Sequence, residues 1–297
     1  MQGNPLIEFG LPISLMLIMA GMGLSLTLRD FHQVVVYPRA MVLGSLGQVA
    51  ILPLLAFGLI ALLDLPPMLA VGLVVIAGCP GGTTSNVFTY FARGTLALSI
   101  TLTVIASIVT VFTIPLFVNL ALDFYTAGSP DEPLRLPVLE TIVRLLIIIV
   151  LPVAVGMIVR AWAPRTAARL ERATGIFGLV VLAALIILIV IQVRSQIGSL
   201  LAQAGPAAII LNLVGIALGF AFGKVPGISH RDALTIAVEL GIKNGTLGLM
   251  VTLTLLGNEQ MAIPSAVYGV LMFIFGGALI AYGRKRFPPA AVEAKPA

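Results

Sequence analysis

The sequence predicts an all-α polytopic membrane protein: nine transmembrane helices forming an inverted repeat, with two helices that break and cross in mid-membrane. Three observations carry this prediction. Of 297 residues, 59% are hydrophobic and 10% charged, with a mean hydropathy of +1.13, a balance foreign to water-soluble domains. The apolar residues fall into stretches of about 20, the length that crosses hydrocarbon as an α-helix. Two stretches are interrupted by residues that lipid excludes, Gly78-Cys79-Pro80-Gly81-Gly82-Thr83-Thr84-Ser85-Asn86 and Val238-Glu239-Leu240-Gly241-Ile242-Lys243-Asn244-Gly245-Thr246.

The spans fall at roughly 5–27, 35–62, 68–91, 96–122, 137–159, 172–193, 205–223, 233–256 and 262–283. Span 1 carries Gly21, Gly23, Ser25 and Thr27, spacing suited to close helix packing. It lacks the basic flank and cleavage site of a signal peptide, so it is expected to stay as the first helix. Span 2 holds one amide, Gln48, among Gly44, Ser45 and Gly47. Span 3 contains the first break: Pro80 removes a backbone donor and Gly81-Gly82 remove stiffness, which leaves bare amides and carbonyls at membrane depth. Such backbone is tolerated only where protein or a water-filled cavity covers it. Span 4 places Ser99 and Thr103 on one helical face. The acidic loop 126–137 separates the halves of the chain. Spans 5 and 6 are nearly featureless Leu/Ile/Val helices joined by a basic loop from Arg160 to Arg172, and read as lipid-facing scaffold. In span 7, Asn212 reads as interhelical glue. Span 8 contains the second break, where Glu239 and Lys243 stand four apart with the acid first, the favourable order for a helical ion pair.

Lys and Arg orient the chain. With the N-terminus outside, the inner loops and tail hold Arg29, Arg39, Arg93, Arg160, Arg165, Arg169, Arg172, Lys224, Arg231, Arg284, Lys285, Arg286 and Lys295, and the outer loops only Arg135, Arg144 and Arg194. The predicted topology is N-out and C-in, in the inner (plasma) membrane. The same bias accounts for the net charge of +5 without a nucleic-acid partner. The single cysteine, Cys79, excludes an internal disulfide framework and any multi-thiolate metal site.

The two breaks are related by topology. Span 3 is the middle of the triplet 2–4, which starts inside; span 8 is the middle of the triplet 7–9, which starts outside. Two such triplets form an inverted repeat, and broken helices at a repeat interface are where secondary transporters place substrate and coupling ions. If the full repeat has five spans, the first copy lacks its opening helix, which gives four plus five. Sodium prefers hard oxygen ligands, so freed carbonyls, the hydroxyls of Ser85, Ser99 and Thr103, the Asn86 amide and the Glu239 carboxylate form a cage for it. An ionisable residue at that depth is functional by default, the alternative being a structural salt bridge. Enzyme readings find no support: His32 and His230 lie in inner loops outside any zinc motif, and no nucleophile elbow or phosphate-binding loop is present.

Gly78–Asn86, followed by Tyr90-Phe91-Ala92-Arg93-Gly94 and Ala97-Leu98-Ser99, together with Glu239-Leu240-Gly241-Ile242-Lys243-Asn244, resembles the bile acid:sodium symporter family over nearly the whole chain. The resemblance implies a core of residues 35–124 (spans 2–4) and 198–286 (spans 7–9), a panel of 1–34 (span 1) and 125–197 (spans 5 and 6), and a cytoplasmic tail, 287–297. The family's first sodium site carries over to Ser85, Asn86, Ser99, Thr103 and Glu239. Its second falls on Gln48, Glu239 and the backbone of Leu240 and Ile242, with Lys243 where the family has glutamine. Thr83, Thr84 and Asn244, with Lys243, match the substrate cavity.

Lys243 is the main departure: an ammonium there repels a second sodium and substitutes for its charge, so the chain is expected to couple to one sodium, not two, or to use Lys243 as a titrating group for protons. Met272 and Phe273 stand where bacterial relatives carry polar residues. The expected function is sodium-coupled symport of a small organic anion by alternating access, by a monomer in the bilayer. The anion is bile acid-like, a keto acid or a pantothenate-like carboxylate, and Lys243 is a partner for its carboxylate. The alternatives are a proton-coupled transporter, an arsenite-type exporter hinted at by Cys79 beside Pro80, and a membrane sensor that binds without flux.

Overall fold

The computed structural model describes residues 6–127, 134–192, 194–195 and 197–288. The predicted span ends at residues 5 and 193, the loop acids Asp131 and Glu132, and the tail from 289 onward with Lys295 lie outside these. Every regular element among the described residues is helical. Eight helices are long and apolar enough to cross a membrane: Glu8–Ser25, Pro38–Leu63, Leu96–Tyr125, Val138–Trp162, Pro164–Ile191, Ile197–Phe222, His230–Leu255 and Glu259–Arg286. The ninth is a pair, Pro67–Gly78 and Thr83–Phe91, bent by 62° at the first predicted break. Each predicted span thus has a helical counterpart, and spans 1 to 9 are numbered accordingly.

Helix ends are where prediction and structure differ. The segment Arg160–Arg172, read as a loop, is helical on both sides of Ala163, so span 6 begins at Pro164. Span 7 likewise begins at Ile197, eight residues before the predicted 205. Apolar windows mark the edge of the hydrocarbon, whereas Ala, Leu, Arg and Gln are strong helix formers that carry the helix past it. Several ends have a chemical cause. Pro38, Pro67 and Pro164 open helices, where their missing N–H costs nothing. Asn258 caps span 9, its Oδ1 accepting the Met261 amide at 3.0 Å. Arg93, at φ 60°, turns the chain out of span 3, and its guanidinium donates to the carbonyls of Arg284 and Phe287 at the end of span 9.

Burial runs opposite to apolarity. Span 8 carries both mid-membrane charges, yet 100% of its spanning window is buried, against 11% for the almost uniformly aliphatic span 6. In lipid the costly groups are the polar ones, so they move inside and leave the Leu/Ile/Val faces to the bilayer. Backbones approach closely where spans 7 and 8 pack. A Cβ at Gly219 would overlap the backbone of Ile236 and Ala237, so glycine alone lets span 7 lie against the half-helix that carries Glu239.

Gly219→Ala should therefore lower stability by about 1–3 kcal/mol, the usual cost of overpacking. Gly58→Ala, at a mid-helix glycine with nothing within 4 Å, should be neutral or up to about 1 kcal/mol stabilising. Thermal unfolding in detergent measures both, and equal midpoints for the two variants would contradict the packing described.

Candidate functional site

Span 3 ends its first half at Gly78 and resumes at Thr83, with Cys79 extended at ψ 143°. Span 8 ends its first half at Gly241 and resumes at Gly245, with Ile242 extended at φ −107°, ψ 103°. The freed backbone groups pair largely with one another and with single polar side chains. The Asn244 amide donates to the Pro80 carbonyl at 2.8 Å, joining the two breaks. Gln48 accepts the Gly81 amide at 2.9 Å. The Gly241 carbonyl receives Asn212 Nδ2 at 2.8 Å and the Tyr268 hydroxyl at 3.0 Å. Asn244 Oδ1 caps the second half of span 8 by accepting the Leu247 amide at 3.0 Å.

Spans 4 and 8 run side by side in a matched register. At their shared end Thr95 donates to Asp232 Oδ1 at 2.6 Å, and its amide donates to the Thr235 hydroxyl at 2.7 Å. Asp232 is itself held by Ser229 in a reciprocal cap. One and two turns further along span 4, Ser99 Oγ comes to 2.5 Å from Glu239 Oε1 and Thr103 Oγ1 to 2.8 Å from Oε2. The second half of span 3 supplies the rest: Asn86 Oδ1 lies 2.9 Å from Ser99 Oγ, and Ser85 Oγ lies 3.4 Å from Thr103 Oγ1. Ser85 also donates to the Gly82 carbonyl at 2.7 Å. A Cβ at Gly81 would collide with Glu239 Oε2 and Ser85 Oγ, so this glycine gives the carboxylate its room.

All five residues of the first predicted set thus gather in one cluster. It holds two carboxylate oxygens, an amide oxygen and three hydroxyl oxygens around three hydroxyl protons. Such a surplus of hard oxygen acceptors fits a small hard cation. The second predicted set is placed differently. Gln48 Oε1 is committed to Gly81 while its Nε2 has no partner, the Ile242 amide returns to Val238 at 2.7 Å, and the Leu240 carbonyl is approached by Tyr268 at 3.5 Å.

The ion pair expected from the spacing of Glu239 and Lys243 is not made. The helix ends at Gly241, which removes the four-residue register, and both carboxylate oxygens are taken by hydroxyls. Lys243 is 1% exposed and its Nζ has no hydrogen-bond partner. It lines a cavity of about 20 Å³ with Thr83, Thr84, Asn244 and Thr246, walled by Leu182 and Met272. Such a space admits about one water or one carboxylate oxygen. Thr83 and Thr84 separate it from a far larger cleft of about 860 Å³, whose walls include Asn86, Phe91, Ile176 and Phe273 and whose rim includes Glu171 and Arg172.

All four predicted substrate residues, Thr83, Thr84, Lys243 and Asn244, line the small cavity. Cys79 is fully buried and lines neither space. Sequence reasoning missed Thr89, whose hydroxyl lies 3.1 Å from Ser99 Oγ, and Tyr268, the cap of the second break. Thr89 is four residues from Ser85 on the same helical face, a signal present in the sequence. Tyr268 carries no such signal, since its partner lies in another span.

Residues 12–200 match the family described as the sodium bile acid symporter family. The chain is 31% identical over 278 residues to the sodium-dependent transporter YocS of Bacillus subtilis, covering 92% of this chain and 83% of that protein. It is 30% identical over 276 residues to the chloroplastic probable sodium/metabolite cotransporter BASS1 of Arabidopsis thaliana, covering 93% of this chain and 67% of the relative. To the human ileal sodium/bile acid cotransporter it is 27% identical over 283 residues, 92% of this chain and 78% of the other.

Asn212→Leu and Tyr268→Phe should each destabilise the protein by roughly 0.5–1.5 kcal/mol, the range for a polar contact between membrane helices. The double variant should lose more than the sum, because the Gly241 carbonyl then has neither donor. Denaturation midpoints of the four proteins test this, and strict additivity would contradict a shared acceptor.

Proposed function

Because the chain belongs to the sodium bile acid symporter family and is thereby a secondary transporter of the membrane, not an enzyme, we propose that it couples uptake of an organic anion to sodium at the junction of the two breaks. The observation that carries this reading is the closure of Ser85, Asn86, Ser99 and Thr103 around the buried Glu239 carboxylate. Sodium is the cation for this cluster, with the Glu239 charge offsetting its own in a low-dielectric surround. The neighbouring cavity takes the anion's carboxylate. Lys243 supplies the opposite charge there, Thr83, Thr84 and Asn244 supply polar groups, and the N-terminus of Thr83–Phe91 adds its dipole. Lys243 also stands in for a second sodium among Gln48, Leu240 and Ile242.

Alternating access then consists of movement between a core of residues 35–124 and 198–286 and a panel of 1–34 and 125–197. Support for the panel as a unit is its close packing: Cβ atoms at Gly21, Gly23 and Gly156 would overlap Thr174, Val153 and Ala20 across spans 1, 5 and 6. The large cleft lies between panel residues such as Gly21, Gly175 and Ile176 and core residues such as Asn86 and Phe273. It extends to Phe91, Leu96 and Arg172, the end that the positive-inside rule assigns to the cytoplasm, so this conformation is read as inward-facing with the N-terminus outside. The full burial of Cys79 weighs against the arsenite exporter.

In proteoliposomes, replacing sodium by potassium should abolish uptake of whichever of pyruvate, pantothenate or taurocholate is carried. Ser99→Ala and Thr103→Val should each raise the sodium concentration for half-maximal uptake about tenfold or more, the equivalent of one hydrogen bond to a charged group. Uptake indifferent to sodium but driven by a pH gradient would reassign the coupling ion to the proton. Sodium-dependent binding without uptake would make the protein a sensor.

A further inference from the structure

We infer that the protein carries one sodium with one monovalent anion and moves no net charge across the membrane, because the Lys243 ammonium serves as the second cation of the site. The inference rests on the symport reading above and deepens it. Its basis is the disposition of two buried charges. Glu239 and Lys243 are 0% and 1% exposed, and among the described residues they are the only acidic and basic side chains buried at the breaks. They are engaged differently. Each Glu239 oxygen is bound by a hydroxyl within the oxygen cluster, whereas Lys243 lines the cavity with Thr83, Thr84, Asn244 and Thr246 and its buried Nζ has no hydrogen-bond partner. An unpartnered, buried ammonium beside a small polar cavity is half of an ion pair whose other half is the ligand.

The charge tally follows. The empty site is neutral, one carboxylate balancing one ammonium. Sodium alone makes it a net cation enclosed by protein in a bilayer, a state whose desolvation is costly. Sodium with one carboxylate restores neutrality. The empty and fully loaded sites can therefore change access, while the sodium-only site is held back, which couples the two fluxes without any further device. A second sodium would leave an excess positive charge, and a dianion an excess negative one. The charge of the site thus selects monoanions and a one-to-one ratio. It also requires sodium and anion to raise each other's affinity by one common factor, since binding linkage is reciprocal.

The test uses purified full-length protein in proteoliposomes whose voltage is clamped with potassium and valinomycin, with labelled pyruvate, pantothenate and taurocholate as probes. A tenfold inward sodium gradient should balance a tenfold outward anion gradient at every voltage applied. If a net charge moved, about 60 mV would shift that balance about tenfold, and such a shift would overturn the inference while leaving sodium symport intact. Absence of sodium-driven uptake of all three probes would instead remove the symport reading and the inference with it. Binding of ²²Na⁺ to detergent-solubilised protein supplies a readout independent of flux. One sodium should bind per wild-type chain, and the transported probe should tighten it at least tenfold. In Lys243→Met, sodium should bind more tightly without the probe, and the probe should no longer help. Unchanged linkage in that variant, with Lys243→Arg as the charge-retaining control, would show that Lys243 is not the balancing cation.

Discussion

Unpaired peptide groups at membrane depth are the constraint on which this structure depends. A break in a membrane helix exposes amides and carbonyls that lipid cannot satisfy. Here two breaks supply each other: the Asn244 amide closes on the Pro80 carbonyl, while Gln48, Asn212 and Tyr268 take further groups from the sides. Each of those side chains comes from a different span, so spans 2, 7 and 9 are held around the pair by hydrogen bonds as well as by packing. The Asn244 amide and the Pro80 carbonyl each find a partner in the other break. This hydrogen bonding brings two distant segments of sequence to one point, and that point is the candidate site.

Once the breaks are joined, the cluster around Glu239 follows from helix register. Thr95 and Asp232 pin the starts of spans 4 and 8 together, and one and two helical turns later the hydroxyls of Ser99 and Thr103 meet the carboxylate. Gly219 and Gly81 allow the approach, one by letting span 7 lie on the backbone of span 8, the other by leaving space for the carboxylate oxygen. Stability and function are separable here. Glycines and caps place the helices, and the oxygens they bring together exceed the protons available to bridge them.

Glu239 and Lys243 illustrate what a break does to charge. In a continuous helix they would pair and neutralise each other, a structural bridge of little functional consequence. Ending the helix at Gly241 turns the two side chains to different surroundings, the acid to hydroxyls and the base to a cavity. In the proposed mechanism the pair stays neutral overall yet offers a negative pole to the cation and a positive pole to the anion.

Much of this was determined by sequence alone. Apolar stretches of spanning length, interrupted twice by glycine and polar residues, specify nine membrane helices and the positions of both breaks, because hydrocarbon imposes length and polarity on every segment independently of its neighbours. The five oxygen-bearing residues of the cluster were legible for the same reason, as polar groups that lipid would not tolerate. Helix ends such as Pro164 and Ile197 were not, since beyond the hydrocarbon edge the bilayer no longer constrains composition. Tertiary structure decided what depends on contacts between spans: that Tyr268 and Asn212 share one carbonyl, that Gly81 must lack a side chain, and that Lys243 faces a cavity, not Glu239. Spacing along a chain predicts neighbours only while the helix continues, and at these breaks it does not.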